Sequence, residues 1–196
     1  MNSIQKVLII FPLFILGCQK SRLDVEEVSP KFNSLNMNIY SNKGVKIYSI
    51  KSPLSRYDRS NQVFYINETT IELFNNNEVE YIVNSEKSTF SNLNKTINLN
   101  GNVYIKSLFN KDSTLKADNF SWHYESFYYL LNGNVRFEDD KVVLISDKAI
   151  FDNKTDVIEF FNPVKYIIKD KNKNTKYEIN SENAFYNIYT KSVNFT

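Results

Sequence analysis

The chain has 196 residues, with Lys plus Arg 24 against Asp plus Glu 22 and a formal charge of +2; so weak a field does not hold a polyanion, and nucleic acid is excluded as a partner. Aromatic residues make up 15% of the chain while Gly and Pro number only four each, a composition that suits half-buried strands and argues against disorder. The single cysteine, Cys18, leaves no disulfide framework and no thiolate metal site, so neither metal nor cofactor is expected and stability must come from packing.

In chain order, the first feature is a leader. Lys6 supplies a positive charge, Val7 to Leu16 is an unbroken apolar run, and Gly17 precedes Cys18, the order of a secretory signal followed by its processing site. Ile15-Leu16-Gly17-Cys18 resembles the lipobox of bacterial lipoproteins, which implies cleavage before Cys18 and a lipid on its sulfur; Leu16 is bulkier than that pattern usually carries. The apolar run is about half of the ~20 residues needed to cross a ~30 Å hydrocarbon layer. The expected division is therefore a signal peptide over 1–17, a lipid-anchored spacer over 18–44, which shows no sustained alternation and holds Ser29-Pro30, and one folded domain over 45–196; a frayed first strand after Met37 is the other reading of the spacer's end.

Within that domain the sequence repeats. Aligned on Tyr57, Phe90, Trp122, Phe151 and Tyr186, the unit recurs at spacings of 33, 32, 29 and 35, and the same positions carry the same chemistry. Apolar pairs stand seven and nine residues after each anchor: Phe64 and Ile66, Ile97 and Leu99, Tyr129 and Leu131, Ile158 and Phe160, Val193 and Phe195. Five before each anchor is a small residue, Ser52, Ser85, Ala117, Ser146 or Ser181. Four before is Glu86, Asp118, Asp147 or Glu182, with Pro53 in the first unit. Ladders of period two, such as Ile97, Leu99, Gly101, Val103 and Ile105, predict strands with one inward face. The glycines within the second and third ladders, Gly101 and Gly133, mark a bulge or a close approach, where the fourth reads Asn162-Pro163-Val164. Breaks rich in Asn and Asp, at 75–77, 110–113, 138–141 and 170–176, predict turns.

The fold class is therefore all-β: about five stacked repeats forming two facing antiparallel sheets, with inward side chains meeting across a seam and both ends open. Catalysis finds little support. The four recurring carboxylates stand a layer apart, too dispersed for an acid-base pair, and are expected to stabilise corners between strands. His123 has no second histidine and no nucleophile beside it. Polysaccharide-cleaving solenoids need carboxylates converging on one cleft, and this spacing offers none.

The small-acidic-x-x-x-aromatic step, from Ser85-Glu86 to Phe90 and from Ala117-Asp118 to Trp122, and the strands Gly101-Asn102-Val103 and Gly133-Asn134-Val135 resemble the LptC and OstA-like (LptA-related) group of lipopolysaccharide-transport proteins. The resemblance runs from about Val45 to Thr196 and is nearer to LptC, because the leader attaches the chain to a membrane. It implies a twisted β-jellyroll and a non-catalytic relay protein of the lipopolysaccharide export machinery. Its partners would be the acyl chains of lipopolysaccharide, the inner-membrane ABC transporter (LptB/LptF/LptG-like) and an LptA-like periplasmic bridge. Better-known members hold on through an N-terminal transmembrane helix, which a lipid on Cys18 replaces here; the implied place is the periplasmic face of the inner membrane.

The lipid-binding groove expected on this basis is lined by Phe64, Ile66, Phe90, Ile97, Leu99, Val103, Trp122, Tyr129, Leu131, Val135, Phe137, Phe151, Ile158, Phe160 and Val164. A closed core built from the same residues would read identically. The last strand, Ser192, Val193, Asn194 and Phe195, is the expected docking edge for the bridge protein. The alternative is an adhesive or structural envelope lipoprotein whose seam carries no lipid.

Overall fold

The computed structural model describes residues 29–108 and 113–196. Cys18, the leader and part of the break predicted at 110–113 lie outside the described residues. Thirteen strands form one antiparallel sheet: β1 (Lys31–Phe32), β2 (Leu35–Tyr40), β3 (Lys46–Ser52), β4 (Leu54–Asp58), β5 (Val63–Asn75), β6 (Glu78–Ser91), β7 (Thr96–Ser107), β8 (Thr114–His123), β9 (Tyr128–Glu138), β10 (Val142–Asp152), β11 (Val157–Lys169), β12 (Thr175–Asn187) and β13 (Val193–Phe195). From β4 to β13 each strand pairs with the next, a meander of hairpins; β3 joins the same sheet by pairing β5 beyond β4, and β2 extends it. Among the described residues no helix is long and apolar enough to cross a membrane.

Two facing sheets were expected, and they prove to be the two arms of a single bent sheet. The long strands lose register near their middles: between Asn84 and Lys87, Asn100 and Val103, Lys116 and Asn119, Ser146 and Lys148, and Phe161 and Val164. At the β7–β8 step, Gly101 and Asn102 stand opposite Asp118 alone, the two-against-one count of a bulge, which bends a strand and sharpens its twist. In the first arm lie β4, the early halves of β5, β7, β9 and β11, the late halves of β6, β8, β10 and β12, and β13. The second arm holds β2, β3 and the remaining halves.

The repeated motif writes this bend. Gly101 and Asn102 have φ of 77° and 46°, and Gly133 and Asn134 have 75° and 48°, two successive left-handed residues that glycine and asparagine tolerate best. A Cβ on Gly133 would lie 2.5 Å from Asp118 Oδ2, and one on Gly101 the same distance from Glu86 Oε2. In the space so left, Asn134 Nδ2 donates to Asp118 Oδ2 at 2.8 Å, and Asn102 donates to Glu86 in the same way. The recurring serine serves the strand that turns: Ser85, Ser146 and Ser181 donate to the carbonyl oxygens of Lys87, Lys148 and Asn183 at 3.1, 2.8 and 2.8 Å, and Ser52 to that of Leu54 at 2.8 Å. A carbonyl beside the loss of register thereby has a partner. The carboxylates thus stand at bends inside strands, where Glu86 and Asp118 accept from asparagine side chains; the corners between strands expected from sequence are not where they sit.

The segment read as a spacer contributes two strands. Leu35, Met37 and Ile39 alternate toward the core while Asn36, Asn38 and Tyr40 face solvent, a half-buried strand too short to declare its start in a polar stretch. Between the arms, rings from strands that are not neighbours meet: Tyr48 with Trp122 at 5.3 Å, Tyr81 with Phe151 at 6.4 Å, and Phe137 with Tyr186 at 4.5 Å between centroids. Each contact joins a residue of one repeat to a residue one or two repeats later, so the arms cross with an offset.

Candidate lipid-binding seam

Inward positions of both arms form one core. Leu131, Val135 and Phe160 are fully buried, and Ile66, Phe90, Ile97, Leu99, Val103, Trp122, Tyr129, Phe137, Phe151, Ile158 and Val164 are buried with them; Phe64 is half-buried against the same cluster. All fifteen residues expected in the lining therefore share the seam. Along the first arm their rings run continuously, Trp122 to Tyr129 to Phe151, at centroid separations of 5.3 and 5.5 Å.

The seam is closed. Two cavities remain between the arms, of about 20 and 40 Å³, sharing Tyr81, Ile105, Leu115 and Phe151 in their walls. That is room for water-sized probes, far below the ~150 Å³ cavity that admits a benzene. Their walls are almost wholly apolar and include Leu73, Val83, Phe120 and Ile188, which sequence reasoning left out of the lining. The signal was present for part of this set, since Val83 and Leu115 stand seven before their anchors and Ile105 ends a ladder, but these belong to the second arm, and the strand bend that brings them over the first is not visible in one ladder.

A wider mouth of about 540 Å³ opens at the free rims, bounded by Asn75, Asn76, Glu80, Tyr81, Ser107, Ile188, Tyr189 and Lys191. Tyr81 and Ile188 belong to both the mouth and an inner cavity, so a polar vestibule leads directly onto an apolar slot. Burial holds the Glu80 carboxyl above its usual range; the Asn75 side chain pulls the other way by hydrogen bonding, and the Asp156 charge adds to the rise. Asp156 is itself raised, by burial and then by Asp152. Burial pushes the Tyr129 hydroxyl up to about 12, with the Glu80 charge contributing.

A buried polar contact ties the arms. Tyr186 OH donates to Asp139 Oδ2 at 2.6 Å, while the other carboxylate oxygen accepts from the N–H groups of Lys141 and Val142 at 2.8 and 2.7 Å. Burial, followed by this bond, raises the Tyr186 hydroxyl well above its ordinary value. Nearby, Lys191 and Asp140 make an exposed ion pair across the rims at 3.3 Å.

Among the described residues no group of three or more His, Cys, Asp or Glu side chains is placed to hold a metal. Asp147 and Glu182 are exposed, and His123 is an exposed ring 6.2 Å from Tyr124. Of the expected exit strand, Val193, Asn194 and Phe195 pair with Tyr186, Phe185 and Ala184, and Ser192 lies before it.

A bent antiparallel sheet with an apolar seam and a lateral mouth defines the class, a β-jellyroll. The family model described as lipopolysaccharide-assembly, LptC-related matches residues 13–126, more than half of the chain, and the chain belongs to that family. Its family places it in lipopolysaccharide transport, at the periplasmic side of the inner membrane. No curated protein matches the chain.

Proposed function

We propose that the arms part to admit the acyl chains of lipopolysaccharide, and that the domain relays this lipid from an LptB/LptF/LptG-like transporter to an LptA-like bridge while a lipid on Cys18 tethers it to the membrane. The observation that carries this reading is the alignment of two apolar cavities behind a polar mouth: Tyr81 lines the mouth and both cavities, and Ile188 lines the mouth and one of them. Each CH₂ moved from water into such a slot gains about 0.8 kcal/mol, so a chain of ordinary length compensates for separating the arms without covalent chemistry. The fifteen lining residues supply the apolar walls.

The exit is an edge in two steps. β13 covers Ala184 to Tyr186 only, and the first half of β12, from Thr175 to Ser181, has no strand on its outer side among the described residues. A bridge strand would extend both, and backbone pairing would supply the affinity.

A photoreactive residue at Tyr81 or Phe151 tests the cargo: irradiated in native membranes, both trap lipopolysaccharide, whereas one at Tyr104 on the outer face does not. Equal trapping at all three, or none, overturns the reading and leaves an envelope lipoprotein without lipid cargo.

A further inference from the structure

The two free rims of the bent sheet differ in kind. On the first arm, five hairpin turns lie in series, zipped by backbone hydrogen bonds from Asn92 N to Gln62 O (3.3 Å), Tyr124 N to Lys95 O (3.0 Å), Asn153 N to Phe127 O (2.8 Å) and Ile188 N to Asp156 O (3.0 Å). Successive turns carry Arg59, Leu93, Phe127, Lys154 and Tyr189. The three apolar members are 66%, 57% and 73% exposed. On the second arm the described turns are 41–44, 76–77, 139–141 and 170–174, built from Ser, Asn, Lys, Gly and Asp alone, although Tyr40 and Val45 flank the first.

The chain also enters the fold at the first rim. Lys31 pairs with Arg56 and Phe32 with Ser55, and Tyr57 N donates to Pro30 O at 3.0 Å. β1 therefore runs from the rim toward the bend, and the chain joins the fold at that rim, after the apolar run Val7 to Leu16 and Cys18 in sequence. We propose that this rim is a bilayer-docking edge, on which Leu93, Phe127 and Tyr189 seat at the headgroup level of an anionic phospholipid membrane between the basic tips Arg59 and Lys154.

Leu and aromatic side chains favour the interface between headgroups and acyl chains, and basic neighbours favour an anionic surface. Three tips bind weakly by themselves; a tether that joins the fold at the same edge makes the contact intramolecular and raises its occupancy. Docked in this way, Tyr189 and Ile188 bring the mouth of the seam against the layer that holds acyl chains. The proposal rests on the membrane-attached reading of the N-terminal end and stands apart from the identity of the cargo.

The full chain reconstituted into phosphatidylethanolamine and phosphatidylglycerol vesicles with nitroxide-bearing lipid tests it, with a fluorophore clicked onto an unnatural residue at Phe127 or Tyr189, or at Asn76 or Asn172. Quenching at the first pair is expected to exceed that at the second several-fold. The triple variant Leu93→Ser, Phe127→Ser, Tyr189→Ser, whose circular dichroism checks folding, is expected to abolish quenching of a label at Arg59. Equal quenching at both rims, a chain that does not attach to the vesicles, or shielding of Phe127 and Tyr189 that requires added transporter protein overturns the proposal. Lipopolysaccharide trapping at Tyr81 that persists in the double variant Leu93→Ser, Phe127→Ser, which leaves the mouth residues unchanged, while quenching at Tyr189 falls, separates the docking edge from the cargo reading.

Discussion

The bend and the mouth lie on opposite sides of the same sheet and are stabilised in different ways. At the bend, local solutions recur: in two layers a left-handed Gly-Asn pair makes room for a carboxylate, and in four a serine takes up the freed carbonyl. Toward the mouth nothing repeats: Tyr186 reaches Asp139 once, and Glu80 faces the Asp156 charge once. A module that must stay folded while its arms separate needs a hinge with satisfied polar groups and a rim with few ties, and this division supplies both.

The sharpest way to break the comparison is Gly133→Val. It places a β-branched residue at φ 75° with its Cβ 2.5 Å from Asp118 Oδ2, and backbone strain with overpacking is expected to cost about 3 kcal/mol in denaturant unfolding. A loss below about 1 kcal/mol would show that the bend yields easily. Next comes Tyr186→Phe, which removes the donor across the arms but leaves Asp139 its two backbone N–H partners. Stability should fall by about 1.5 kcal/mol, and lipopolysaccharide trapping at Tyr81 should rise because the arms separate more easily; reduced trapping would show that this contact does not hold the seam shut.

The smallest effect is at Glu80. Its carboxyl is raised in the folded protein, so the folded state holds the proton more tightly than the unfolded chain, whose carboxyl titrates near about 4.3. Stability from this group therefore falls as pH rises from there through the folded value, and the penalty is complete above it. Glu80→Gln should raise the melting temperature at pH 8, with the gain vanishing near pH 4; a gain that grows as the pH falls would reverse the sign.

The same division explains what could be read in advance. Serine, carboxylate and anchor recur at fixed offsets because each bend is solved within a few residues, and so the strands, the five layers and the inward ladder were legible from Ile50 to Phe195. The fifteen lining residues followed from that ladder. What escaped reading depends on strands far apart in the chain: Tyr81 and Ile188 meet at the mouth from β6 and from the turn after β12, and no offset in the sequence connects them. β2 was legible only as the frayed strand allowed after Met37, because three apolar residues among asparagines make too short an alternation to mark its start at Leu35.

The offset between the arms bears on how the chain acquires its shape on export. Tyr48 finds its ring partner in Trp122, 74 positions later, and Tyr81 in Phe151, 70 positions later. A chain emerging one hairpin at a time on the far side of the membrane can build its hinge immediately, yet the earliest layer stays half-clad until the third has emerged. Duplicating or deleting one repeat would shift every later pairing across the seam, so the domain is modular in sequence and indivisible in packing.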